Sequence, residues 1–122
     1  MIVIDYQDRR PLYEQIVEKY KLLIARGVLE SDSQMPSVRA LATQLAINPN
    51  TIQRAYTELE RQGYIYPVKG RGNFISPAAQ IVLKRKEEYT NQLEEKMKEG
   101  RDLGIEKEEI LKIADRIWRE ST

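Results

Sequence analysis

The chain has 122 residues, with 20 Lys/Arg against 19 Asp/Glu and 41% hydrophobic residues, which is enough for one compact core and a short extension. Cysteine and histidine are both absent, which excludes a disulfide framework, a thiolate nucleophile, a zinc site of the usual ligands and the commonest general base. No cofactor and no metal site are therefore expected. No apolar run approaches the roughly 20 residues of a membrane span, and Met1–Asp5 lacks the basic lead of a signal peptide, so a cytoplasmic protein with no membrane partner is expected.

In chain order, Ile2-Val3-Ile4 has the composition of a short strand. A first helix opens at Pro11, carries Leu12, Ile16, Val17, Tyr20, Leu23 and Ile24 as one apolar stripe, and ends at Gly27. Residues 30–36 form a polar loop. Ser37 then caps a short second helix with Val38, Leu41, Ala42 and Leu45 on its inner face. Two residues later Asn48-Pro49 starts a third helix, with Ile52, Ala55, Tyr56 and Leu59 inward and Gly63 as its stop. Two short helices across a tight turn make a helix-turn-helix pattern. Tyr64–Val68 and Asn73–Ser76 read as strands around the turn Lys69-Gly70-Arg71-Gly72, with Pro67 confining the first strand to an edge. Ser76-Pro77 marks a boundary between domains at 1–77 and 78–122. Beyond it a charged helix of about twenty residues carries Val82, Tyr89, Leu93 and Met97, Gly100 to Gly104 breaks it, and a last helix carries Ile110, Leu111, Ala114, Ile117 and Trp118.

Function is legible on the third helix. With its apolar residues inward, a 100° step turns Asn50, Arg54, Thr57 and Arg61 outward, with Gln53 on the flank. Asn and Gln make paired hydrogen bonds to adenine, and Arg does so to guanine, so such a face fits a major groove; the bland alternative is a solvated helix surface. The tip Lys69-Gly70-Arg71-Gly72 combines cations for phosphates or a minor groove with glycines that allow close approach, although most such loops are only turns. Arg39 faces outward on the second helix, equally suited to a phosphate contact or a surface ion pair. Five cations, Arg39, Arg54, Arg61, Lys69 and Arg71, face only Glu58 and Glu60 between residues 37 and 77, so the positive excess is local to this segment.

Met35-Pro36-Ser37-Val38-Arg39-Ala40-Leu41-Ala42, then Ile47–Tyr56, Leu59-Glu60, Gly63-Tyr64-Ile65 and Gly70–Ile75, together resemble the DNA-binding domain of GntR-family regulators. The opening Pro11-Leu12-Tyr13-Glu14-Gln15-Ile16 is similar to that of the short YtrA-like subgroup. The likeness covers about residues 5–77 and departs at Ala46, where many relatives have glycine. It implies a mainly α fold with a small β-hairpin, a winged helix-turn-helix followed by a two-helix dimerisation arm. It also implies that DNA is met by Ser37 and Arg39, by Asn48, Pro49, Asn50, Thr51 and Gln53 with Arg54 beside them, and by Lys69, Gly70, Arg71 and Gly72 at the wing. A homodimeric regulator on a near-palindromic operator, acting as a repressor on a transporter operon, is what such a resemblance implies.

The residues after 77 are too few for a large ligand-binding domain or an aminotransferase-like fusion. Two amphipathic helices cannot bury their stripes alone, and a second copy supplies the missing face; the alternative is folding back on the DNA-binding domain. Any small-molecule effector would lie at the dimer interface or between arm and DNA-binding domain. There Tyr89 and Trp118 are candidates to line a pocket, with core packing as their alternative role. A winged helix used as a protein-interaction module would carry an apolar recognition face, against which Asn50, Gln53, Arg54 and Thr57 speak. An enzyme would need carboxylates, Lys or Tyr, and the acidic residues near 106–109 read instead as a solvated helix start.

Overall fold

The computed structural model describes residues 2–120. In chain order it contains α1 (Leu12–Ala25), α2 (Val38–Leu45), α3 (Pro49–Arg61), β1 (Ile65–Val68), β2 (Gly72–Ile75), α4 (Pro77–Asp102) and α5 (Lys107–Glu120). Two compact units divide the chain, Met1–Glu87 and Glu88–Thr122.

The first unit is built around α3. Ile52, Ala55, Tyr56 and Leu59 of α3 are buried against Ile16, Val17, Tyr20 and Ile24 of α1 and against Leu41 and Ala42 of α2, as the apolar spacing predicts. Tyr20 and Tyr56 meet edge to face with centroids 6.1 Å apart. The Tyr56 hydroxyl donates to the Pro36 carbonyl at 2.7 Å, which ties α3 to the start of α2. Burial raises the Tyr56 hydroxyl pKa well above its ordinary value, so it remains a donor.

Both short helices begin on side-chain caps. Ser37 Oγ accepts from the Ala40 N–H at 3.0 Å, and Asn48 Oδ1 accepts from the Asn50 N–H at 2.8 Å, with Pro49 at the first position of α3. Between them Ala46 takes the left-handed conformation (φ 54°), and the Ile47 N–H closes onto the Ala42 carbonyl at 3.0 Å. The turn keeps a glycine-type geometry although its residue is alanine.

β1 and β2 pair antiparallel from Ile65↔Ile75 to Val68↔Gly72, so the hairpin loop is Lys69–Arg71 and Gly72 belongs to the strand rather than the turn. Pro67 lies on the edge strand as expected, because β2 has another neighbour on its far side. The segment read as a polar loop supplies that neighbour. The Asp32 N–H donates to the Ile75 carbonyl at 2.8 Å, the Ile75 N–H to Ser33 at 3.0 Å and the Met35 N–H to Asn73 at 2.8 Å. The polar residues of that segment concealed a strand-like pairing made by its backbone.

Two further expectations are corrected. Ile2-Val3-Ile4 is not a strand. Its Ile2 enters the core, and the segment is held by the buried Gln15, whose Oε1 accepts from the Asp5 N–H at 3.1 Å while its Nε2 donates to the Asp5 carbonyl at 3.1 Å. The fourth helix is not interrupted at Gly100 and runs on to Asp102; Gly104 stops it, where the Ile105 N–H returns to the Gly100 carbonyl at 2.9 Å. Gly100 is buried within the helix because Ile105 packs over it.

α4 begins at Pro77, at the boundary read from the sequence, but its first turns belong to the first compact unit. Leu83 is buried in the core and Ala79 packs against it, while Gln80 Nε2 donates to the carbonyls of Ile24 (2.9 Å) and Leu29 (2.8 Å). Arg26 pairs with Glu87 at 2.7 Å.

The second unit comprises the rest of α4 and α5. α5 buries no residue, and Leu111, Ile113, Ile117 and Trp118 are all exposed on it. Tyr89, Leu93 and Met97 are exposed on α4 in the same way. Among the described residues no helix is long and apolar enough to cross a membrane.

Candidate nucleic-acid interface

The candidate residues fall on three elements braced to one another. On α3, Pro49, Asn50, Gln53, Arg54 and Thr57 are exposed and Thr51 is half-buried. Gln53 Nε2 donates to Thr57 Oγ1 at 3.2 Å, one turn along, which aligns the amide with the helix surface and leaves its carbonyl free. On α2, Arg39 is exposed, as its position relative to Leu41 and Ala42 predicts. Ser37 and Asn48 are exposed too, but their side-chain oxygens already cap helix starts, so both shape the surface as well as lining it.

At the wing, Lys69, Gly70, Arg71 and Gly72 are exposed. The wing is held against the chain leading into α2. Gln34 Nε2 donates to the Arg71 carbonyl at 2.6 Å, three residues before the Ser37 cap. Gly72 has φ 103°, a conformation that calls for glycine, and a Cβ there would press on the Gln34 amide, 3.3 Å from its Nε2. Gln34 is a residue the sequence reading missed; its signal was only the polar loop around it. Tyr66 and Phe74 stack at 5.9 Å across the hairpin, and the Tyr66 hydroxyl donates to Asp32 at 2.6 Å, which stiffens the wing further.

Some cations of the chain are held by neighbouring carboxylates. Arg10 is paired with Asp8, Arg26 with Glu87 and Arg61 with Glu58. Among the described residues Arg39, Lys69 and Arg71 have no carboxylate partner. Arg54 is in no ion pair either; its guanidinium lies over the Tyr13 ring, 3.8 Å from the centroid. Arg61 shares the outward face, but its hydrogen bonds, with help from Gln62, hold the Glu58 carboxyl at about 2, below its ordinary 4.5. Its charge is therefore locally neutralised.

The arm residues form a separate group. Val82, Tyr89, Leu93, Met97, Leu111, Ile117 and Trp118 are exposed, and Ile110 and Ala114 are half-buried. Val82 projects outward while its neighbour Leu83, which the stripe omitted, enters the core of the first unit. Ile113 was also missed; the helical period places it beside Ile110 and Ile117.

Residues 12–75 match the model of bacterial regulatory proteins of the gntR family. The chain belongs to the GntR family. It is 46% identical over 83 residues to the HTH-type transcriptional repressor YtrA of Bacillus subtilis (strain 168), which covers 68% of this chain and 64% of YtrA. The match thus spans just under two thirds of that relative's length. A GntR family transcriptional regulator from Listeria monocytogenes superposes with a TM-score of 0.68 at 36% identity, covering 93% of this chain and 98% of that one. The DNA-binding domain of AraR, solved in complex with operator ORR3, superposes with a TM-score of 0.54 at 28% identity over 61% of this chain and 89% of that one. The GntR family is one of transcriptional regulators, not of enzymes, and the winged helix-turn-helix implied by the motifs is the fold found.

Proposed function

We propose that this GntR-family regulator is a cytoplasmic homodimeric repressor that binds a near-palindromic operator, with a transporter operon as the class of target expected from its likeness to YtrA-like proteins. Each protomer places α3 in a major groove, where Asn50 and Gln53 read base edges, and the Lys69–Gly72 wing against an adjacent minor groove. Arg39 contacts the backbone beside Ser37, and Asn48, Pro49 and Thr51 set the approach of the α3 N-terminus, whose partial positive charge favours a phosphate.

One observation carries this reading. The exposed amide face of α3 is braced to two elements whose cations, Arg39, Lys69 and Arg71, have no carboxylate partner among the described residues. A protein-interaction module would leave an apolar patch there, and among the described residues α3 exposes no large hydrophobic side chain, whereas the arm exposes several. The arm supports dimerisation because its exposed Ile, Leu and Trp side chains gain burial from a second copy. An effector would bind at the dimer interface of the arm. In the first unit the apolar cavity among Ile2, Tyr20, Leu23, Leu41 and Leu45 has a volume of about 50 Å3, room for little more than water, and the groove of about 450 Å3 beside Tyr13 is open and lined mostly by charged and polar residues.

The test is a gel-shift titration at fixed salt against a duplex recovered from a randomised pool. Arg39→Ala and Arg71→Ala are each expected to weaken binding about tenfold for all sequences, and Gln53→Ala to relax preference at one or two positions by about 1–3 kcal/mol. Unchanged affinity and preference in all three variants would contradict the proposal.

A further inference from the structure

The Arg54 guanidinium stacks on a ring that belongs to neither the helix-turn-helix nor the wing. Tyr13 is in the second residue of α1, and its ring centroid is 3.8 Å from the Arg54 guanidinium carbon. The alternatives for Arg54 are close by. Tyr13 lines an open groove between α1 and α3 together with Arg10, Glu14, Glu18, Glu58 and Gln62, and Glu58 is one turn from Arg54 on the same helix face. An arginine one turn from a glutamate on one helix ordinarily pairs with it. Here the Glu58 carboxylate is taken by Arg61 and Gln62, and Glu18 pairs with Lys21.

We propose that Tyr13 is a positioning residue for DNA binding, its ring holding the Arg54 guanidinium away from Glu58 and presenting it to a phosphate of the duplex backbone. The inference rests on the DNA-binding reading above and adds a residue to it. The chemistry favours a ring over a carboxylate for this task. A stacked guanidinium keeps its five N–H donors, which lie in its own plane, available for phosphate oxygens, and its charge is not cancelled. A guanidinium bound to Glu58 would lose both. Because phosphate carries no sequence information, Arg54 acts on affinity and salt dependence, while Gln53 beside it acts on base preference.

The experiment measures binding of the full-length chain to a selected duplex by fluorescence anisotropy across a salt series, for wild type, Arg54→Ala, Tyr13→Leu, Tyr13→Phe and the Tyr13→Leu/Arg54→Ala double variant. Thermal unfolding of each variant checks its folding, and Tyr13→Met serves as a second ringless variant should Tyr13→Leu not fold. Tyr13→Leu is expected to lose about fivefold in affinity and about one unit of salt slope without a change in base preference. Arg54→Ala should lose at least as much, the double variant no more than Arg54→Ala alone, and Tyr13→Phe should bind as wild type does. The inference is overturned if Tyr13→Leu binds like wild type, if the two losses add in the double variant, or if Tyr13→Phe loses as much as Tyr13→Leu. A wild-type protein that binds no duplex overturns the DNA-binding reading itself, an outcome distinct from those three.

Discussion

Ala46 carries the tightest backbone constraint between α2 and α3, since a Cβ in the left-handed region costs about 1–2 kcal/mol relative to the right-handed one. Glycine removes that strain but adds freedom to the unfolded chain, which takes back part of the gain. Ala46→Gly is therefore expected to stabilise the protein by about 0.5–1 kcal/mol, read as a higher urea midpoint with an unchanged slope. At this scale the sequence was legible wherever the interaction is local. The caps at Ser37 and Asn48 and the outward turn of Arg39 and Gln53 follow from spacing of four residues or fewer. Gln15 was not legible, because a polar residue in an apolar stripe reads as outward-facing until its partners, ten residues back at Asp5, are known. Tyr13 was hidden for the same reason, its partner Arg54 being on another helix.

Among the elements, the wing depends on a neighbour that no period announces. β1 and β2 are only four residues each, too short to be stable alone, and the backbone of Asp32–Met35 completes them from across α2 and α3. Hairpins are read from turn residues and alternation, both adjacent in sequence, whereas this third pairing joins residues about forty apart. Gly72 is where the neighbour and the hairpin meet. Gly72→Ala is expected to destabilise the protein by about 1–2 kcal/mol through its positive φ and its approach to Gln34, and to weaken duplex binding by more than its loss of stability explains. Parallel thermal melts and duplex titrations would check both effects. Loss of stability with undiminished affinity would separate the wing from the interface.

For the whole molecule, the arm is the part whose burial the single chain leaves incomplete. Its amphipathic period was legible, but Val82 and Leu83 show where periodicity runs out. Successive residues on one helix serve different surfaces, and only the core of the first unit distinguishes them. Ile117→Glu, a charge placed among Ile110, Ile113 and Ala114, is expected to shift sedimentation from dimer toward monomer. It should also weaken binding to a two-half-site duplex far more than to a single half-site. The most direct test is selection of duplexes from a randomised pool by the wild-type protein at fixed salt. The account predicts enrichment of an inverted repeat whose affinity falls steeply as salt rises. Enrichment of no sequence, with duplex binding absent even at low ionic strength, would contradict it.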